Sequence, residues 1–203
     1  MEAKERILDG AIELFKKDGF KCVTMDALAK SLCVSKRTIY EIFEDKDKLI
    51  EACLIEMSAK ISKTQLEIIN STTNIYEAMY QFAVNQHKLI SEINPLMFED
   101  LNKYYKNILA NVKEKQTQSK HNITRQMFQN GIDNGLFSNI INIDIACYLI
   151  DDLFDFSIRL IDKDKFKRRD VFSTCFVPFF RGISTDKGIV ALAEIEKKIQ
   201  TFK

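Results

Sequence analysis

The chain is poor in the residues that build turns. It has two Pro and six Gly in 203 positions, whereas an all-β domain needs a turn roughly every 8–12 residues. Sandwiches and barrels are therefore poor candidates. No run of about 18 apolar residues occurs, so no membrane-spanning helix is expected. The opening MEAKERIL is charged at once and lacks the apolar core of a signal peptide, so a cytoplasmic location is expected. Only two His are present, His87 and His121, and neither has Cys or carboxylate neighbours at metal-ligand spacing. No metal site is expected. The five Cys are odd in number and form no CxxC, which fits reduced thiols used as small hydrophobes rather than a disulfide framework. There is no GxSxG, P-loop or dinucleotide fingerprint, so neither an enzyme nor a cofactor is expected. The formal net charge is +1. No global field draws this chain to nucleic acid, and any DNA contact must be a local patch.

What is abundant is helical pattern. The composition is 46% hydrophobic and 29% charged, with Lys, Glu, Ile, Leu and Ala recurring at helical spacing, and the fold expected is all-α. Ile7, Leu8, Ala11, Ile12, Leu14 and Phe15 form the apolar stripe of a first helix, with Gly19 placed to end it. Gly10 inside that helix costs about 1 kcal/mol relative to Ala unless close packing compensates. Thr24 caps a second helix, Ser35 a short third and Asp45 a longer fourth. Polar residues 70–74 break the chain next, and Asn94-Pro95 interrupts the pattern again. Pro178 should kink or interrupt the apolar stretch in which it lies.

Residues 31–49, SLCVSKRTIYEIFEDKDKL, hold two helix starts ten residues apart. Leu28, Leu32, Val34, Ile39 and Ile42 fall inward around a small Ala29, while Lys36, Arg37, Thr38 and Glu41 fall outward. Two short helices crossing closely on such a skeleton make a helix-turn-helix, whose second helix is sized for a major groove. Lys36 and Arg37 suit guanine N7 and O6, and Thr38 suits a thymine methyl. Thr24, Ser35, Tyr40 and Lys46 lie at helix starts or edges, where phosphate oxygens are met.

Together with Ala11, Leu14-Phe15, Gly19-Phe20, Thr24, Leu28-Ala29, Val34-Ser35, Tyr40, Phe43, Lys46 and Leu49, these residues resemble the N-terminal domain of TetR/AcrR-family transcriptional regulators over about residues 4–50. The resemblance implies a helix-turn-helix domain over 1–46 and a helical ligand-binding and dimerisation domain over 47–203. It implies a homodimeric repressor of a palindromic double-stranded DNA operator, and phosphate contacts from Thr24, Ser35, Tyr40 and Lys46 with base reading by Lys36, Arg37 and Thr38. Two positions depart from the family pattern. Cys33 stands where Gly is common in the turn, and Ile42 where a polar aromatic or His is common.

Residues 144–161 and 171–183 are apolar on nearly all sides. Phe154, Ile158, Phe172, Phe176, Phe179 and Phe180 are candidates for a dimer interface in which these helices pair across a two-fold axis. The middle helices carry Met79, Phe82, Gln86, Phe98, Tyr105 and Phe128, candidates for lining a site for a small apolar or amphipathic ligand. Two alternatives stand beside the regulator: an all-α interaction protein, and a DNA-processing enzyme that uses the helix-turn-helix for targeting.

Overall fold

A computed structural model describes residues 3–72, 74–161 and 166–200. Among them the chain forms eleven helices and no strand, with one isolated antiparallel bridge between Phe137 and Ser184. They are α1 (Ala3–Cys22), α2 (Met25–Ser31), α3 (Lys36–Phe43), α4 (Lys46–Ser71), α5 (Ile75–Ser91), α6 (Pro95–Tyr104), α7 (Lys106–Asp133), α8 (Ile143–Ile161), α9 (Arg168–Cys175), α10 (Val177–Ile183) and α11 (Asp186–Gln200). The contacts gather into two compact units, neither continuous in sequence. One comprises Met1–Thr64 and Asn85–Thr117, the other Gln65–Val84 and Gln118–Lys203.

In the first unit, the apolar stripe of α1 meets residues from every neighbouring helix. Ile7, Ala11 and Phe15 of α1, Leu28 of α2, Ile39 of α3 and Leu49, Ile50 and Cys53 of α4 are fully buried. Each large apolar side chain so buried contributes about 1.5–3 kcal/mol. Gly10 has a packing reason, since a Cβ there would lie 2.2 Å from Cδ2 of Leu32. Its helix cost is offset by the close approach of α2's end to α1.

Gly19 does not simply stop α1. It takes φ +78°, and the chain re-enters helix through Cys22. The carbonyls orphaned by that break are met by α6. The Asn94 backbone N–H donates to the Lys16 carbonyl at 2.8 Å, and its side-chain amide donates to the Lys17 carbonyl at 2.8 Å. Asn94 also caps α6 through Leu96 N–H, ahead of Pro95. Further along α6, the buried carboxylate of Asp100 accepts the Lys21 N–H at 2.7 Å. Tyr105, just past α6, packs edge-on against Phe20 with ring centroids 5.7 Å apart.

In the second unit, the rings of Tyr76, Phe128, Phe137, Phe176 and Phe180 are at most 2% exposed. Phe137 stacks on Phe180 at 6.0 Å and meets Tyr76 edge-on at 5.4 Å. The Tyr76 hydroxyl is hydrogen-bonded to Ser184, so the polar tip of that buried ring is satisfied. Leu192, Ile195 and Ile199 of α11 complete this core. The apolar stretch around Pro178 is broken, as proline requires, into α9 and α10, with Pro178 in the first turn of α10. All five cysteines are free, with Cys53 and Cys147 buried. Burial pushes the Cys53 thiol up to about 12. No helix among the described residues is long and apolar enough to cross a membrane.

Candidate nucleic-acid interface

Three helix starts frame the candidate surface, and each is capped by its own side chain. Thr24 accepts the Ala27 N–H at 3.1 Å, Ser35 the Thr38 N–H at 3.0 Å, and Asp45 the Lys48 N–H at 2.7 Å. Such caps contribute about 1 kcal/mol each and fix where α2, α3 and α4 begin. Between α2 and α3 the chain turns through Cys33 at φ +52°, with Val34 N–H returning to the Ala29 carbonyl at 3.0 Å. This is the left-handed conformation that glycine adopts freely and an L side chain adopts at a cost of about 1–2 kcal/mol. Cys33 is exposed, so its side chain earns little packing in return. A Cys33→Gly chain should be about 0.5–1 kcal/mol more stable in urea titration, the gain being trimmed by glycine's freer unfolded state. A less stable variant would show that the turn does not strain Cys33.

The inward skeleton of the helix-turn-helix is apolar as expected from sequence. Leu28, Ala29 and Ile39 are buried, and Leu32 and Val34 are half-buried. Phe43 takes the deep position at the end of α3 and Ile42 is only half-buried.

Outward, α3 opens with Lys36 and Arg37, both exposed, and has no acid in its first turn. Neither cation hangs free. Lys36 is bridged by Asp26 of α2 at 2.8 Å, and that hydrogen bond raises its pKa. Its ammonium also stands 6.0 Å from the centre of the exposed Tyr40 ring. Arg37 donates through Nε to Glu41 at 2.7 Å. The Thr38 hydroxyl lies 2.7 Å from that of Ser35 and so belongs to the cap. Lys46, at the start of α4, is half-buried and reaches the Lys21 carbonyl at 3.5 Å. Burial lowers its pKa, while Asp100, Asp47 and Cys22 pull the other way. Beside it Lys21 bonds the Tyr104 hydroxyl at 3.0 Å. That bond raises the lysine's pKa and, with Lys103, lowers the tyrosine's.

Of the seven residues singled out in the sequence for DNA, Lys36, Arg37, Thr38 and Tyr40 lie on α3, Lys46 lies in the first turn of α4, and Thr24 and Ser35 are the caps that begin α2 and α3. The two carboxylates that hold the front cations were not singled out. Glu41 was legible from its spacing of four from Arg37. Asp26 was not, because only the crossing of α2 and α3 brings it to Lys36.

The other candidates disperse. Met79, Phe82 and Phe128 belong to the second unit, where Phe82 meets Phe154 edge-on at 5.9 Å and Phe128 is fully buried. Gln86, Phe98 and Tyr105 belong to the first, Tyr105 against Phe20. Of the candidate interface residues, Phe154, Phe172 and Phe179 are half-buried, and the side chain of Ile158 lies outside the described residues. Phe176 and Phe180, at 2% and 1% exposure, are enclosed by the chain's own core. Little of either remains to bury against another copy, and outward apolar surface is instead found on α8. Ile145, Tyr148, Leu149 and Phe156 are between 44% and 66% exposed there.

Residues 7–53 match the family model described as bacterial regulatory proteins, tetR family. Over 102 residues the chain is 31% identical to the HTH-type transcriptional regulator YvaF of Bacillus subtilis, covering 50% of this chain and 53% of that one. Over 83 residues it is 31% identical to IcaR, the HTH-type negative transcriptional regulator of the biofilm operon icaADBC in Staphylococcus aureus, covering 39% and 42%. The match spans about half the length, or less, of these two relatives. In fold, the chain superposes with a TM-score of 0.70 and 14% identity on a TetR-family transcriptional regulator from Cytophaga hutchinsonii, covering 90% of this chain and 95% of that one.

Proposed function

We propose that this chain, whose residues 7–53 match the family model of the bacterial tetR-family regulatory proteins, is a cytoplasmic, homodimeric repressor that binds a palindromic DNA operator and releases it on binding a small apolar or amphipathic ligand. The observation that carries the reading is the front of α3, where Lys36 and Arg37 are exposed on a short helix whose opposite face is buried. In this reading Lys36 and Arg37 meet guanine N7 and O6 and Thr38 a thymine methyl. Thr24, Ser35, Tyr40 and Lys46 hold phosphate oxygens and set the register. Repression is supported by the negative regulator among the relatives.

Pairing of two copies through α8 would cover Ile145, Tyr148, Leu149 and Phe156, and dimeric helix-turn-helix proteins read half-sites about 34–36 Å apart. Met79, Phe82 and Phe128 are the ligand-lining candidates of the second unit. A ligand releases DNA only if it binds the DNA-incompetent arrangement more tightly than the competent one.

Lys46 supplies the test of the phosphate frame. Replacing it by Ala should lower the slope of log affinity against log salt by about 0.9. An unaltered slope would remove Lys46 from the contacts. Sedimentation of the free protein at micromolar concentration tests the dimer, and a single species of monomer mass would contradict it.

A further inference from the structure

Both front cations of α3 are held by carboxylates, and the way Arg37 is held has a chemical consequence. Its guanidinium has five N–H donors, one on Nε and two on each terminal nitrogen. Glu41 takes the inner one, with Nε to Oε1 at 2.7 Å. The side chain of Arg37 is 87% exposed. The two terminal nitrogens therefore remain outward as a fork, the arrangement that makes a bidentate contact to guanine O6 and N7. An unheld arginine at this exposure samples many rotamers and surrenders that freedom on binding. A guanidinium already fixed by its Nε surrenders less. The spacing of four along α3 keeps the brace on the same helix as the group it aims, so it travels with the recognition helix into the groove.

Resting on the DNA-binding reading above, we propose that Glu41 is a positioning residue for base selection: it braces Arg37 through Nε and aims the guanidinium fork at one guanine of each half-site. Glu41 has a second effect of opposite sign. It is a carboxylate on a surface that faces phosphates, so it weakens binding to every sequence alike. Glu41 thus trades general affinity for discrimination. A surface ion pair without this role would leave discrimination unchanged.

The test runs parallel selections from a pool of duplexes with a randomised core, using the full chain, Glu41→Ala and Glu41→Gln, and measures the affinity of each for the unselected pool at fixed salt. Glu41→Ala should bind the unselected pool about 2- to 5-fold more tightly as a negative charge leaves the face. Its discrimination should fall about 5-fold or more at one base pair per half-site, a share of what one bidentate arginine–guanine contact supplies. Glu41→Gln keeps an acceptor for Nε and should retain most of the preference while also binding the unselected pool more tightly. Identical preferences for the full chain and Glu41→Ala would overturn the proposal. So would loss of helicity with loss of all binding, since Glu41 would then be structural. If the unaltered chain enriches no motif, the DNA-binding reading itself fails, and the brace fails with it.

Discussion

A chain carrying Lys36→Ala and Arg37→Ala together should bind its preferred duplex about 100- to 1,000-fold more weakly while keeping its helicity. The size follows from two base-edge contacts at about 1–3 kcal/mol each. The stability should hold because both side chains are exposed and their partners, Asp26 and Glu41, are exposed too. Exposed pairs of this kind contribute about 0–1 kcal/mol to folding. Fluorescence anisotropy with a labelled duplex reads the binding, and circular dichroism reads the fold. Unchanged binding would mean that the front of α3 does not face DNA, and the all-α interaction protein would become the better reading.

Phe20→Ala should carry the largest cost in stability, about 3–5 kcal/mol. Phe20 is fully buried, with its ring 4.9 Å from Phe15 and 5.7 Å from Tyr105. It follows directly on Gly19, where α1 breaks and α6 supplies the missing hydrogen-bond partners. Removing the ring opens a cavity where α1 is held by the Asn94 and Asp100 contacts, which leaves those contacts little freedom to collapse inward. A domain's whole stability is about 5–15 kcal/mol, so the loss is a large share of it. For a chain of this size it should lower the melting temperature by roughly 10 °C. Leu96→Ala is the control. Leu96 is 45% exposed, and its removal should cost about 0.5 kcal/mol or less. Equal shifts for the two variants would show that Phe20 is not the core residue described.

Local chemistry was legible in the sequence where a few neighbouring residues decide it. Thr24, Ser35 and Asp45 were readable as caps because a capping side chain serves N–H groups two or three positions on. The break at Asn94-Pro95 was readable for the same kind of reason. Contacts between distant segments were not. Nothing near Asn94 in sequence says that it meets Lys16 and Lys17, 78 and 77 positions back, and nothing near Asp26 points to Lys36. Phe176 and Phe180 show the limit of pattern most clearly. A helix apolar on every side must be covered, but the period of the pattern does not say by what. Here α11 brings Leu192, Ile195 and Ile199 into the same core. On α8 the pattern understated the surface, because Ile145, Tyr148, Leu149 and Phe156 remain outward once Cys147 and Ile150 have turned in.

The most direct measurement is selection of duplexes from a fully random pool by the purified chain, followed by sequencing, at two salt concentrations. The account predicts an inverted repeat with half-sites about one helical turn or more apart, enriched at both concentrations and bound more weakly at the higher one. Recovery of no motif above background at either concentration would contradict it.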